Sequence, residues 1–163
     1  MGKLQSLIAA GALLCSAAVG VAAAGPPTLS GTDYGEINAL YARYAYAFDS
    51  SDADMFASVF TPDGEFVTGT RTTTGVTALK AMASGRGPKR ERPKIFHLTL
   101  NVLITPTAAG ASGAAYVVTV DLAKNPAISG GGVYEDVIVK TPEGWKFKKR
   151  TFFPEARPPS TQN

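Results

Sequence analysis

The chain has 163 residues, with 16 Lys and Arg against 13 Asp and Glu, one cysteine and one histidine. A formal charge of +3 is too nearly balanced to draw it to nucleic acid. One Cys and one His supply too few ligands for a thiolate or imidazole metal site. The length suits one domain around one core and is too short for two.

Lys3 makes a short basic start, Leu4 to Val21 is apolar and small, and Ala22-Ala23-Ala24 supplies residues that a signal peptidase accepts. This is the anatomy of a secretory signal peptide over residues 1–24, which predicts a periplasmic or secreted protein. The stretch is about long enough for a membrane anchor, but it is rich in Ala and Gly, and Gly25-Pro26-Pro27 follows at once. Cleavage removes Cys15 and Lys3, leaving a charge of +2 and no thiol for a disulfide, nucleophile or metal site. No stable membrane association is expected after it.

Residues 25–32 read as a polar linker. Asp33 followed by Glu36 predicts an N-cap with a capping box. From there Ile37, Leu40, Tyr41, Tyr44, Ala45 and Phe48 recur at helical spacing and give one broad apolar face. Ser51-Asp52 starts a second short helix with Met55, Phe56, Val59 and Phe60 inward, and Thr61-Pro62-Asp63-Gly64 ends it in a turn. Glu65 to Thr74 reads as one or two strands and Val76 to Ser84 as a third helix.

Gly85 to Lys94 is a charged, Pro-flanked loop, and four strand-like runs follow: Ile95 to Thr105, Ala114 to Asp121, Val133 to Thr141 and Trp145 to Phe153. Pro142-Glu143-Gly144 makes a hairpin turn, and residues 154–163 form a Pro-rich tail. Helices first and strands last predict an α+β domain over residues 33–153. Its three helices pack on a curved, mainly antiparallel sheet and close it into a cone-shaped barrel around a pocket.

This order of elements resembles the SnoaL-like branch of the nuclear-transport-factor-2-like superfamily. Three places carry the resemblance. YARYAYAFDSSDADMFASVFTPDGEF (Tyr41 to Phe66) is similar to the family's opening helix, its D-x-x-D junction at Asp49 and Asp52, and its F-x-x-D-G turn. FHLTLNVLI is similar to the family strand that carries a histidine with an asparagine four residues on, and GGVYEDVIVKTPEGWKFKKR to its Tyr-x-Asp strand, Gly-Trp hairpin and closing arginine, Arg150. The superfamily holds lyases, isomerases, hydrolases, cyclases and binding modules, so the fold leaves the function open.

Read with period two, Phe96, Leu98, Leu100, Val102 and Ile104 share one side of their strand, and His97, Thr99, Asn101 and Thr105 the other. If both faces are covered, His97 lines the cavity. In scytalone-dehydratase-like members a histidine on the matching strand is the general base, and an aspartate at the position of Asp49 hydrogen-bonds it. Such a bond fixes the tautomer and leaves the second ring nitrogen free to take a proton. The chain departs from that pattern where Phe48 replaces a tyrosine and where the Tyr134 strand lacks a second histidine. A fungal-type dehydratase is thereby excluded, and the general acid falls to Tyr44, Tyr134 or a neighbour.

Tyr44 also resembles the oxyanion-binding tyrosine of ketosteroid isomerases. The base of that mechanism would sit near Thr68, which is no carboxylate. Tyr134, Asn101, Phe48, Tyr41 and Thr99 are the expected substrate-binding residues. A buried Asp136 needs a partner, and Arg150 on the next strand supplies it; Trp145 reads as structural. The cluster Lys89, Arg90, Arg92 and Lys94 is either a solvated loop or a basic overhang at the cone mouth that attracts an acidic or phenolate-bearing substrate.

No phosphate-binding glycine loop and no G-x-S-x-G elbow occur. The reading is therefore a cofactor-independent lyase in which His97 and Asp49 work with Tyr44. It would dehydrate a small hydroxylated aromatic or cyclic substrate, or cleave a carbon–carbon bond in a retro-aldol manner, such as formaldehyde loss from an aryl diol. A hydrophobic-ligand-binding module of the same fold is the alternative, and a homodimer through the outer sheet face is expected.

Overall fold

The computed structural model describes residues 27–123 and 126–154. The expected signal peptide and nearly all of the expected tail lie outside the described residues. The chain runs α1 (Gly31–Ser50), α2 (Ala53–Ser58), β1 (Phe60–Thr68), β2 (Arg71–Thr74), α3 (Gly75–Ser84), β3 (Ile95–Thr107), β4 (Gly110–Asp121), β5 (Ala127–Thr141) and β6 (Gly144–Pro154). The six strands form one open, curved sheet in the order β2-β1-β6-β5-β4-β3, antiparallel except where β1 meets β6, with the helices on its inner side. The predicted α+β cone is the observed architecture.

The first helix starts earlier than predicted. Ser30 is the N-cap, its hydroxyl accepting from the Asp33 N–H at 3.2 Å, while the Asp33 carboxylate accepts from the Ser30 N–H at 2.9 Å. An Asp can serve as the cap or as the acid three residues on, and a serine in the preceding place gives it the second role. Asp33 also accepts from Lys140 Nζ at 2.7 Å and Trp145 Nε1 at 3.1 Å, so the cap is pinned to the β5–β6 hairpin. These partners, led by Lys140, hold its carboxyl well below the usual carboxylate range.

Two further expectations need correction. Met55 is exposed, because the short α2 turns only Phe56 and Ala57 inward. Thr61 to Gly64 is no separate turn; it forms an irregular start of β1, with a register shift between Phe60 and Glu65. Gly64 is pressed so close there that a Cβ would stand 2.8 Å from that of Phe60 and 2.9 Å from the Thr61 carbonyl.

Arg150 is fully buried at the centre of the core. Its Nε and Nη2 donate to the two oxygens of Asp136 at 2.8 Å each, and the Tyr41 hydroxyl donates to the same carboxylate at 2.6 Å. The guanidinium lies 4.0–4.8 Å from the ring centres of Phe147, Tyr44, Tyr134 and Tyr41. A bulge sets it there: Val137 pairs with Lys149 but Ile138 with Phe147, so Lys148 is the extra residue and the inward series passes from Phe147 to Arg150.

Removing one member of a buried ion pair strands the other charge, at about 3–5 kcal/mol. Asp136→Ala is expected to lose about that much in urea unfolding; a loss below about 1 kcal/mol would contradict the paired, desolvated geometry.

Candidate active site

Asp49 stands in the last turn of α1, where a negative charge opposes the helix dipole and no basic residue offsets it. The carboxylate is only 8% exposed and is spent entirely on β3. One oxygen accepts from the His97 backbone N–H at 2.9 Å, and the other faces the His97 ring Nδ1 in a short hydrogen bond. A carboxylate accepts only, so Nδ1 carries the proton and Nε2 is left as the basic nitrogen. Nε2 has no protein partner among the described residues, and the ring, with a 10% exposed side chain, borders a cavity.

That cavity holds about 420 Å³ between the helices and the inner sheet face, within the range of small-molecule sites. Phe48, Phe66, Phe152 and Tyr134 give it aromatic walls, and Met82 and Val117 add aliphatic surface. Thr119, which pairs with His97 across β3 and β4, lines it together with Thr68. Gly130 and Gly131 present bare backbone. Phe48 meets the His97 ring edge to face at 5.2 Å and stacks on Phe56 at 5.1 Å, which fixes the imidazole from its second side. Burial pushes the Tyr134 phenol above its ordinary range, so it stays protonated and able to donate.

His97, Asp49, Phe48 and Tyr134 are therefore brought together. The other predicted site residues are not. Tyr44 is fully buried in the aromatic core and off the cavity, its hydroxyl without a hydrogen-bond partner among the described residues. Tyr41 is committed to Asp136, and the Thr99 hydroxyl is enclosed without reaching the cavity. Asn101 is exposed at a bulge, with φ of +52°, a conformation asparagine tolerates better than most residues.

The Asn101 bulge corrects the single apolar face expected of this strand. Leu100 pairs with Tyr116 but Leu103 with Ala114, so facing changes between them. His97 and Thr99 point inward before the bulge, while Val102 and Ile104 do so after it. Phe96, Leu98, Leu100 and Leu103 all face out.

Sequence reasoning missed Arg86, Phe66, Met82, Phe152, Val117 and Thr119. Arg86 lay within the charged loop but was not singled out; its guanidinium sits 4.2 Å over the Phe48 ring. The loop is tied to the end of α1 by the Arg90 N–H donating to the Ser50 carbonyl at 2.7 Å, and to the N-cap of α2 by a Lys89–Asp52 ion pair at 2.5 Å. Arg86, Arg90, Lys94 and Asp49 line a second hollow of about 350 Å³ beside the first.

The SnoaL-like domain model matches residues 30–151. The chain belongs to the SnoaL-like domain family. Solved structures agree on this fold. A protein of unknown function from Mycobacterium tuberculosis is 26% identical, with a TM-score of 0.68 over 77% of this chain and 73% of its own. A provisionally named scytalone dehydratase from Novosphingobium aromaticivorans is 22% identical, with a TM-score of 0.64 over 77% and 85% of the two chains. ActVI-ORFA from Streptomyces coelicolor is 20% identical, with a TM-score of 0.62 over 75% and 96%. No curated protein matches the sequence.

Proposed function

We propose that this protein is a cofactor-independent lyase acting on a small hydroxylated aromatic or cyclic compound, with His97 as general base and Asp49 as the group that orients it. The observation that carries the reading is the Asp49–His97 pair at the edge of an aromatic cavity. A cone that merely held an apolar ligand would have no need of an imidazole turned and held by a nearly buried carboxylate.

Two reactions use this equipment. In dehydration, Nε2 takes a proton from carbon next to an activating group, a double bond forms, and the imidazolium returns the proton to the departing hydroxyl as water. In carbon–carbon cleavage, Nε2 takes the proton of a primary hydroxyl and formaldehyde leaves. The electron pair of the broken bond expels a neighbouring hydroxyl, which departs as water with the proton held on His97. Tyr134, kept neutral, donates a hydrogen bond to the substrate oxygen without losing its proton. Thr68 borders the cavity at the position where an isomerase of the ketosteroid type would need a carboxylate, so that chemistry finds no base there.

Incubation with a panel of aryl alcohols and aryl 1,3-diols, read for dehydrated product and for formaldehyde, identifies the reaction. A positioned base contributes about 10²–10⁴-fold. His97→Gln, whose amide can still donate to Asp49, is expected to lower kcat by that factor while circular dichroism keeps the spectrum of the folded wild type; undiminished turnover in this variant would remove the mechanism.

The proposal includes export, with cleavage after Ala24, and a homodimer. Phe96, Leu98, Leu100, Leu103, Tyr116, Val137 and Phe153 are exposed on the outer sheet face, an apolar surface suited to a second copy of the chain. Light scattering is expected to give twice the mass of the mature chain for the wild type and one chain mass for Leu98→Asp. A monomeric wild type would contradict the dimer.

A further inference from the structure

Among the described residues, Arg86 is the one permanent charge lining the aromatic cavity. Elsewhere four lysines stand against acids, Lys80 with Asp54, Lys140 with Asp33, Lys148 with Asp63 and Lys149 with Glu65, while Arg43, Arg71 and Lys146 form no ion pair with a described carboxylate. Arg86, Arg90 and Lys94 share the adjoining hollow, and none of the three forms an ion pair with a described carboxylate. Asp49 borders the same hollow, but both its oxygens are engaged by His97. Lys89 is spent on Asp52, and Glu91 is the only acid in the loop.

The position of Arg86 is held as well as charged. Its guanidinium rests 4.2 Å from the centre of the Phe48 ring, and the His97 ring lies 5.2 Å from the same centre. A cation and a base thus both pack against one phenylalanine ring. A planar guanidinium over an aromatic face keeps its N–H fork free for a carboxylate or phenolate. An aromatic guest that brought its reacting carbon to Nε2 would bring a substituent on its ring toward this fork.

We propose that Arg86 is a specificity residue that pairs with an anionic oxygen group, a carboxylate or a phenolate, on the aromatic ring the cavity encloses, while Arg90 and Lys94 raise the local concentration of such anions. The inference rests on the cavity being the binding site of the proposed lyase, and it names that enzyme's substrate class. Charge-assisted pairing at a half-open mouth is worth about tenfold in affinity, and it weakens with added salt.

Calorimetric titration of the full mature chain tests it with two probe pairs: benzoate against benzamide, and 4-nitrophenolate against 4-nitroanisole. The wild type is expected to bind at least one anion about tenfold tighter than its neutral partner, and the pair that shows the preference tells carboxylate from phenolate. Arg86→Gln should abolish that preference by weakening the anion alone, Arg86→Lys should restore part of it, and His97→Gln should keep it. Equal binding of both anions and their neutral partners by the wild type, or an undiminished preference in Arg86→Gln, overturns the proposal. An anion preference retained in a protein that turns over no panel compound would instead sink the lyase reading and leave the anion site standing.

Discussion

A single carboxylate, that of Asp49, joins the end of the first helix to the beginning of the strand at the sheet edge, and the mouth of the cone takes its shape from that bond. By accepting from both the backbone N–H and the ring of His97, it fixes where β3 starts and how the imidazole is turned. The arrangement is costly. The charge is nearly enclosed and sits at the wrong end of a helix dipole. Local rules of this kind are broken chiefly where function needs the geometry. The contrast with Asp33 is instructive: at the other end of the same helix a carboxylate caps the N-terminus, in agreement with every local preference.

The interior divides its work between core and mouth. In the core Arg150, Asp136 and Tyr41 form a polar network inside a cage of rings. Burial and the Asp136 charge push the Tyr41 phenol far above its ordinary range, so it acts there only as a donor. At the mouth Phe48 links three roles at once, packing on Phe56, bracing His97 and carrying Arg86. The charge in the core is paired with Asp136, and one guanidinium nitrogen, Nη1, is buried without a hydrogen-bond partner among the described residues. The charges at the mouth face solvent and whatever enters.

Most of the fold was legible because its signals are local. Helical spacing in α1, the Asp52 cap of α2 and the turn chemistry between strands depend on neighbours in sequence, and each element lies within a few residues of its expected place, β1 and β5 apart, which begin five and six residues early. The Asp136–Arg150 pair was legible because a buried carboxylate demands a cation. Two bulges were not. One extra residue at Asn101 and one at Lys148 reverse the inward and outward sets of their strands, and an alternation carried straight through them places Asn101 and the later β3 residues on the wrong faces. The positive φ available to asparagine was the one local hint. Tyr44 looked like a site residue because an inward helical tyrosine is the same in sequence whether it meets a cavity or a core. Arg86 went unseen because its place over Phe48 is set by how a loop folds back on α1, which no spacing encodes.

The account stands on one proton. His97 is the only histidine in the chain, so long-range proton–nitrogen NMR of protein labelled with ¹⁵N-histidine reports this ring alone. With the ring neutral, the account predicts a proton on Nδ1, held by Asp49, and an unprotonated Nε2 whose shift moves when an aromatic ligand fills the cavity. A neutral ring protonated on Nε2, or an Nε2 signal indifferent to every ligand that binds, would contradict it.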